Sequence, residues 1–193
     1  MLWSQSPNRS WIRATKLDNM KLEVPYYSQF VDIQDPFWMV RACGAVAIKS
    51  VAEFHGIAVP ELLTICNDAK EKGGYDMENG WVHDYIVSYF QGIGLNAYRK
   101  EGLTDLNELL FILETGTPLI VSVEKRVLEQ TRFHIIVIVG FEKDANGAVT
   151  HLYYHESEST NKDKGAYRVC DMATFMSYWR GKVIVGAKSI EIS

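Results

Sequence analysis

The chain has 193 residues, of which 47% are hydrophobic and 23% are charged, and its formal net charge at pH 7 is −4. This composition is typical of a globular domain that buries a full core, and it excludes bulk disorder. The small negative charge gives no general attraction to nucleic acid or to anionic lipid, so neither is an expected partner.

The first 20 residues differ from the rest of the chain. They are rich in Ser, Asn and Arg and show no apolar periodicity, so we predict an N-terminal extension at 1–20 and one domain at 21–193. The longest apolar run, residues 135–139, suits a strand and is too short to span a membrane. No signal peptide is visible, which slightly favours a cytoplasmic location.

The first half of the domain is predicted to be helical. Residues 43–56 are small and apolar over most of a helix circumference and end at Gly56, so this helix is expected to be buried in the middle of the domain. The other segments of this half are an extended stretch at 24–29, a loop at 30–42, and helices at 60–70, at 80–91 and from an Asp105 cap to just before Gly116.

The second half is predicted to consist mainly of strands. The β-branched run at 133–141 indicates a central strand, and Asn146-Gly147 indicates a hairpin turn into the next one. The predicted strands are 118–123, 133–141, 149–155, 166–169 and 182–192, with a short helix capped by Asp171 before the last. Helices followed by antiparallel strands predict an α+β fold with a cleft between the two halves.

The chain has three cysteines, Cys43, Cys66 and Cys170, and no pair has CxxC spacing. Neither a disulfide framework nor a zinc site built on cysteine pairs is therefore expected. Cys43 directly precedes the predicted buried helix, whose N-terminus favours a thiolate, and Gly44 leaves space beside the sulfur. Cys43 is the candidate nucleophile. The alternative is a small buried apolar cysteine, which we expect for Cys66 and Cys170.

A thiol nucleophile needs a base, and His134 is the candidate because it opens the most apolar predicted strand. The alternative is a partly exposed core histidine. His151 and His155 share one face of a strand near two glutamates, but the spacing fixes no third ligand. We therefore predict no metal and no cofactor.

Four motifs together resemble a known family. They are Val-Pro-Tyr-Tyr-Ser-Gln at 24–29, Cys43-Gly44-Ala45, Gly-Thr-Pro-Leu-Ile at 116–120 and His-Ile-Ile-Val-Ile-Val-Gly-Phe at 134–141. This pattern resembles the bacteriocin-processing peptidase-like family, cysteine peptidase family thirty-nine of the papain-like clan, over residues 21–178. The resemblance implies a papain-like fold, with a helical N-terminal part packed on a C-terminal antiparallel sheet. It also implies Cys43 as nucleophile, His134 as base and Gln29 as oxyanion donor.

The third member of the site departs from the family pattern. The family has an aspartate, often followed by proline, near the end of the next strand, where this chain has Glu156 and Ser157. Glu156 is the candidate. Glu158 or Asn161 is an alternative, as is a site without a third member, and Glu156 would then be a solvated carboxylate.

The function that the resemblance implies is peptide-bond hydrolysis through a Cys–His thiolate and an acyl-enzyme, with a peptide or protein as substrate. Two alternatives remain open from the sequence. The same residues suit acyl transfer to an amine or thiol, and a degenerate site suits a module that only binds peptides.

Overall fold

The computed structural model describes residues 19–127 and 130–189. Its elements are, in chain order, β1 (Met20–Lys21), α1 (Gln29–Asp32), α2 (Cys43–Phe54), α3 (Leu62–Glu71), β2 (Tyr75–Asp76), β3 (Gly80–Trp81), α4 (His83–Gly92), β4 (Asn96–Lys100), α5 (Asn107–Glu114), β5 (Leu119–Val127), β6 (Gln130–Lys143), β7 (Val149–His155), α6 (Lys162–Gly165), β8 (Arg168–Asp171), α7 (Met172–Tyr178) and β9 (Trp179–Ala187).

Seven strands form one antiparallel sheet in the order β4-β9-β5-β6-β7-β8, with β1 beside β6. β5 pairs with β6 along the full length of β5, from Leu119 opposite Ile138 to Val127 opposite Gln130. The predicted α+β architecture, helices packed on an antiparallel sheet, is confirmed.

Helices cover both faces of this sheet. Buried residues of α2, α3 and α4 pack with Ile135, Val137 and Ile184 in one core, whereas α5 and α7 pack with Ile136 and Val183 in the other. Alternate residues of a strand point to opposite faces, so strands that are buried on both sides read as continuous apolar runs. This explains why the run at 133–141 has no polar alternation after His134.

The predicted buried helix is α2. Nine of its residues, Gly44 to Ala52, are buried, and it ends at the His55 cap before Gly56, whose φ is 73°. That left-handed conformation suits glycine and stops the helix. Cys43, the first residue of α2, therefore stands at the end of a buried helix in the middle of the domain.

The structure differs from the sequence prediction in several local places. The helix predicted from residue 80 begins at His83, because Gly80 and Trp81 pair with β2 in a short hairpin whose turn is held by the Asp76 carboxylate. The predicted loop contains α1, which is capped by Ser28. The sequence does not predict the edge strand β4, because the residues of this strand are mostly polar and charged.

The predicted N-terminal extension lies outside the described residues up to position 18. Met20, the last residue assigned to it, is in β1 and pairs with Phe141 of β6. No helix in the described part of the chain is long and apolar enough to cross a membrane.

Candidate active site

Cys43 is the first residue of α2 and is half-buried. The Trp81 indole lies against this end of the helix and donates its Nε1–H to the carbonyl of Arg41 at 2.7 Å. A Cβ on Gly44 would lie 2.2 Å from Cδ2 of that indole, so only glycine fits between the helix and the ring. Gly44 and Trp81 together fix the backbone beside the sulfur.

An open cleft of about 670 Å³ runs between the helical half and the sheet half. Cys43 and Trp81 line it from the helical half, and His134 and Glu158 line it from the sheet half. Clefts of this size are typical of sites for small molecules and peptide segments. The predicted cleft between the two halves is therefore present, and it contains both Cys43 and His134.

His134 is only 2% exposed, and its Nε2 lies 2.7 Å from Oε1 of Glu156. Burial alone lowers the pKa of the imidazole, but hydrogen bonds and charges from Cys43 and Glu156 outweigh burial and raise the pKa to about 9. The imidazolium form of His134 is therefore favoured at neutral pH.

Glu156 follows β7 directly and is 3% exposed. Its Oε1 accepts the backbone N–H of Glu158 at 2.9 Å, and its Oε2 lies 2.6 Å from Nζ of Lys125. Burial raises the pKa of this carboxyl, but His134 and Lys125 lower it to about 2. Glu156 is thus a buried carboxylate ion-paired with the imidazolium, and its burial excludes the solvated alternative.

The other two candidates for the third position do not hydrogen-bond the ring. Glu158 approaches the other nitrogen, with Oε1 3.7 Å from Nδ1 of His134. Asn161 is the N-cap of α6 and accepts the N–H of Asp163 at 2.9 Å. Of the three, Glu156 is the one that hydrogen-bonds the imidazole.

Two cations that sequence reasoning missed complete this cluster. Lys125 reaches Glu158 at 2.9 Å as well as Glu156, and Arg132 lies 2.5 Å from Glu158. Lys125 and Arg132 are directly opposite each other in the β5–β6 register, which only the register of the hairpin would have revealed. His134, Glu156 and Glu158 offer ligand atoms within 4.8 Å of one another, but these cations already balance the carboxylates.

Gln29 is 1% exposed, and the cleft lining does not include it. Its Oε1 accepts the hydroxyl of Ser157 at 3.1 Å, its Nε2 donates to the carbonyl of Met39 at 3.0 Å, and its backbone N–H donates to the carbonyl of Ser157 at 2.9 Å. These bonds fix the orientation of the amide and use one of its two N–H donors. Ser157, the residue next to Glu156, thereby links Gln29 to the segment that carries Glu156.

The strand histidines do not form a metal pair. Nε2 of the buried His155 bonds the carbonyl of Val24 at 2.9 Å, and its Nδ1 accepts the N–H of Tyr167 at 3.1 Å. Both ring nitrogens are thus used within the fold. His151 is turned toward the hydroxyl of Thr150, 3.0 Å from its Nδ1.

The other two cysteines differ from Cys43 in their surroundings. Cys66 is fully buried in the core under α2, and burial raises the pKa of its thiol to about 12. Burial also raises the pKa of Cys170. Both thiols are therefore protonated at neutral pH. Cys66 is buried as the sequence predicts, whereas the prediction of a buried Cys170 is wrong, because this residue is half-buried on the edge strand β8.

Comparison with solved structures finds the same fold in peptidase domains. One match is described as the crystal structure of a double glycine motif protease from an AMS/PCAT transporter in complex with the leader peptide. It has a TM-score of 0.59 and 15% identity, over 90% of this chain and 97% of the other. A second match is the peptidase domain of Streptococcus ComA, a bi-functional ABC transporter involved in quorum sensing. It has a TM-score of 0.55 and 17% identity, over 78% of this chain and 93% of the other.

The comparison with curated proteins gives no match. The model of the Peptidase_C39 like family, however, matches residues 21–183, which is most of the chain. The resemblance drawn from the four sequence motifs is thereby confirmed: the chain belongs to the Peptidase_C39 like family.

Proposed function

We propose that this protein is a cysteine peptidase that hydrolyses peptide bonds, with Cys43 as the nucleophile, His134 as the general base and acid, and Glu156 as the residue that orients the imidazole. The observation that carries the proposal is the position of His134. Its buried ring hydrogen-bonds Glu156 and lines the same cleft as Cys43, and hydrogen bonding and charge from Cys43 and Glu156 raise its pKa to about 9.

The reaction begins with a thiolate–imidazolium pair. The Cys43 sulfur attacks the carbonyl carbon of the scissile peptide bond, and the resulting oxyanion accepts hydrogen bonds from the Cys43 backbone N–H and from the free Nε2–H of Gln29. Protonated His134 gives its proton to the leaving amine as the C–N bond breaks. Water, deprotonated by His134, then hydrolyses the thioester and restores the pair.

Gln29 enters this scheme through its contacts with neighbouring residues. Met39, which accepts one of its N–H donors, lies in the turn that leads into α2, and Ser157 holds its oxygen. The amide is thus fixed between the segment before Cys43 and the segment that carries Glu156. The proposal needs a small movement that brings the second N–H to the oxyanion when substrate binds.

The proposed substrate is an extended peptide. A relative of the same fold is described in complex with a leader peptide, and the cleft here is partly open to solvent rather than fully enclosed. The family relatives within transporters suggest secreted peptides as one class to test, without fixing their sequence.

Two measurements test the function. Wild type, Cys43→Ala and the control Cys170→Ala are incubated with a peptide library, and cleavage is followed by mass spectrometry. Wild type and Cys170→Ala should cleave the same peptides, and folded Cys43→Ala should cleave none. Cleavage by folded Cys43→Ala at the wild-type rate would overturn the proposal.

Alkylation by iodoacetamide at pH 6 tests the state of the thiol independently of any substrate. Cys43 should react at least 10-fold faster than Cys66 and Cys170, because a thiolate is the nucleophilic form. Equal slow labelling of all three would favour a module that only binds peptides.

Products formed with added amines instead of water would indicate acyl transfer.

A further inference from the structure

β9 contains a β-bulge at residues 180–182, which lie at the cleft. Val121 pairs with Val183 and Val123 pairs with Trp179, so the single residue Ser122 of β5 faces three residues of β9, 180–182. Bulges of this kind re-aim side chains and are frequent beside active sites. Arg180 and Lys182, which are two residues apart and so share one face of the strand, both line the cleft.

The backbone of this bulge is firmly held. Gly181 has a φ of 63°, and its carbonyl accepts the N–H of Leu103 at 3.1 Å. A Cβ on Gly181 would lie 2.5 Å from the carbonyl oxygen of Leu103, so glycine is required there. Trp179, immediately before the bulge, is buried in the core. Arg180 is therefore presented from a rigid base.

The Arg180 guanidinium is positioned but lacks a carboxylate partner. It lies 3.5 Å from the centroid of the Phe133 ring, which is 48% exposed, and its Nη1 donates to the Ser122 hydroxyl at 3.1 Å. Within residues 19–127 and 130–189, no carboxylate oxygen comes within 4.0 Å of it. A guanidinium has five N–H donors, so most of its capacity is available to a ligand.

Arg99 and Lys182, which also line the cleft, are each paired with carboxylates. Arg99 pairs with Asp84 and Glu101, and Lys182 pairs with Glu101 at 3.4 Å. The pKa of the nearby His83 imidazole responds to the charges around it. Burial lowers its pKa, Lys182, Arg99 and Arg180 add to the effect, and Glu101 opposes it. His83 is therefore neutral at pH 7 and does not compete for an anion.

Arg180 is also close enough to His134 to contact a peptide bound there. Trp179 pairs with Val123, and Val123 pairs with His134, so the bulge lies two strands from the histidine. Two strand spacings are about 10 Å. An extended peptide advances about 3.3 Å per residue, so a peptide bound across His134 would come to the guanidinium within about three residues of the scissile bond.

From these observations we propose that Arg180 is a specificity-determining residue that binds a carboxylate of the peptide substrate, within about three residues of the bond that is cleaved. The inference rests on the proposed function for its meaning in catalysis. An Asp or Glu side chain and the carboxylate of a peptide C-terminus share this chemistry, and the experiment distinguishes them.

Binding is measured first, with the Cys43→Ala protein and fluorescent peptides, because binding does not require turnover. The peptides carry Glu, Gln or Lys at each of the three positions on either side of the candidate bond, with the C-terminus free or amidated. Glu at one position should improve affinity about 10-fold over Gln, as expected for a charge-assisted pair in a half-exposed site. Amidation should have no effect if a side chain is the ligand, and should cost the same factor if the C-terminus is.

The variant Arg180→Gln should abolish this preference, and Arg180→Glu should favour Lys at the same position. The matched control Arg99→Gln, which removes a cation that already has partners, should retain the preference for Glu. A wild-type protein with no preference for any carboxylate would overturn the inference, as would an unchanged preference in folded Arg180→Gln and Arg180→Glu.

The two proposals fail separately. If wild type cleaves peptides but Arg180→Glu does not change the charge preference, the inference on specificity is wrong and the peptidase function stands. If nothing is cleaved but Cys43→Ala binds acidic peptides through Arg180, the carboxylate site stands and the peptidase function is wrong.

Discussion

Replacing Glu156 with glutamine removes a buried charge while keeping the shape of the side chain and an oxygen that accepts from His134. In the folded protein the pKa of Glu156 falls from 4.5 to about 2, which corresponds to about 3 kcal/mol in favour of the carboxylate. The neutral amide loses that contribution and leaves Lys125 with Glu158 as its remaining partner. We expect the free energy of unfolding at pH 7 to fall by up to about 3 kcal/mol.

The same change should alter the pH dependence of catalysis. The pKa of His134 is raised from 6.5 to about 9, so the imidazolium is lost as the pH rises through that value. Without the Glu156 charge this pKa should fall by at least about one unit. The alkaline limb of kcat/KM for a peptide substrate should therefore move from near pH 9 toward neutral pH.

The pH dependence of stability provides an independent readout. The pKa of Glu156 is lowered, so its contribution is present above about pH 4.5 and is lost as the pH falls toward 2. The pKa of His134 is raised, so its contribution is present below about pH 6.5 and is lost as the pH rises through 9. The stability difference between wild type and Glu156→Gln, measured by urea unfolding, should be largest between pH 4.5 and 6.5.

The control is Glu142→Gln, which changes a carboxylate that bonds Tyr153 on β7, away from His134. This variant should keep the wild-type alkaline limb. If Glu156→Gln folds and also keeps the wild-type alkaline limb, the carboxylate does not set the pKa of the imidazole and the reasoning is refuted.

Two further substitutions test the supports of the site. Gly44→Ala places a Cβ 2.2 Å from the Trp81 ring and should destabilise the protein by about 2 kcal/mol, whereas Gly92→Ala, where no atom lies within 4 Å, should have little effect on Tm. Equal Tm values for the two variants would contradict this account of packing. Lys125→Met removes the cation beside Glu156, so the pKa of that carboxyl should rise and the midpoint of acid unfolding should move to higher pH. An unchanged midpoint would show that Lys125 does not hold the charge.

The parts of the fold that the sequence predicts well are those with strong local patterns. The apolar composition of 43–56 and the β-branched run after His134 define α2 and β6, which carry Cys43 and His134. Asp171 caps α7 as expected, because an N-cap depends only on residues of the same turn.

The parts that the sequence does not predict depend on contacts between distant segments. Lys125 and Arg132 meet only because β5 and β6 pair in one register, and that register is not visible in either segment alone. The sequence names Glu156 as the candidate and leaves Glu158 as an alternative, and only the structure shows which ring nitrogen each approaches. The bulge at 180–182 likewise becomes visible only when β9 is paired with β5.

The two-residue step from Glu156 to Ser157 has a consequence for how this protein can diverge. One residue of the step holds the imidazole through its carboxylate, and the next holds the Gln29 amide through its hydroxyl and its carbonyl. A proline at the second position would supply no hydroxyl. Substitutions there alter one contact at a time, but an insertion or deletion would displace both partners together. Relatives of this chain should therefore vary in residue type at this step and keep its length.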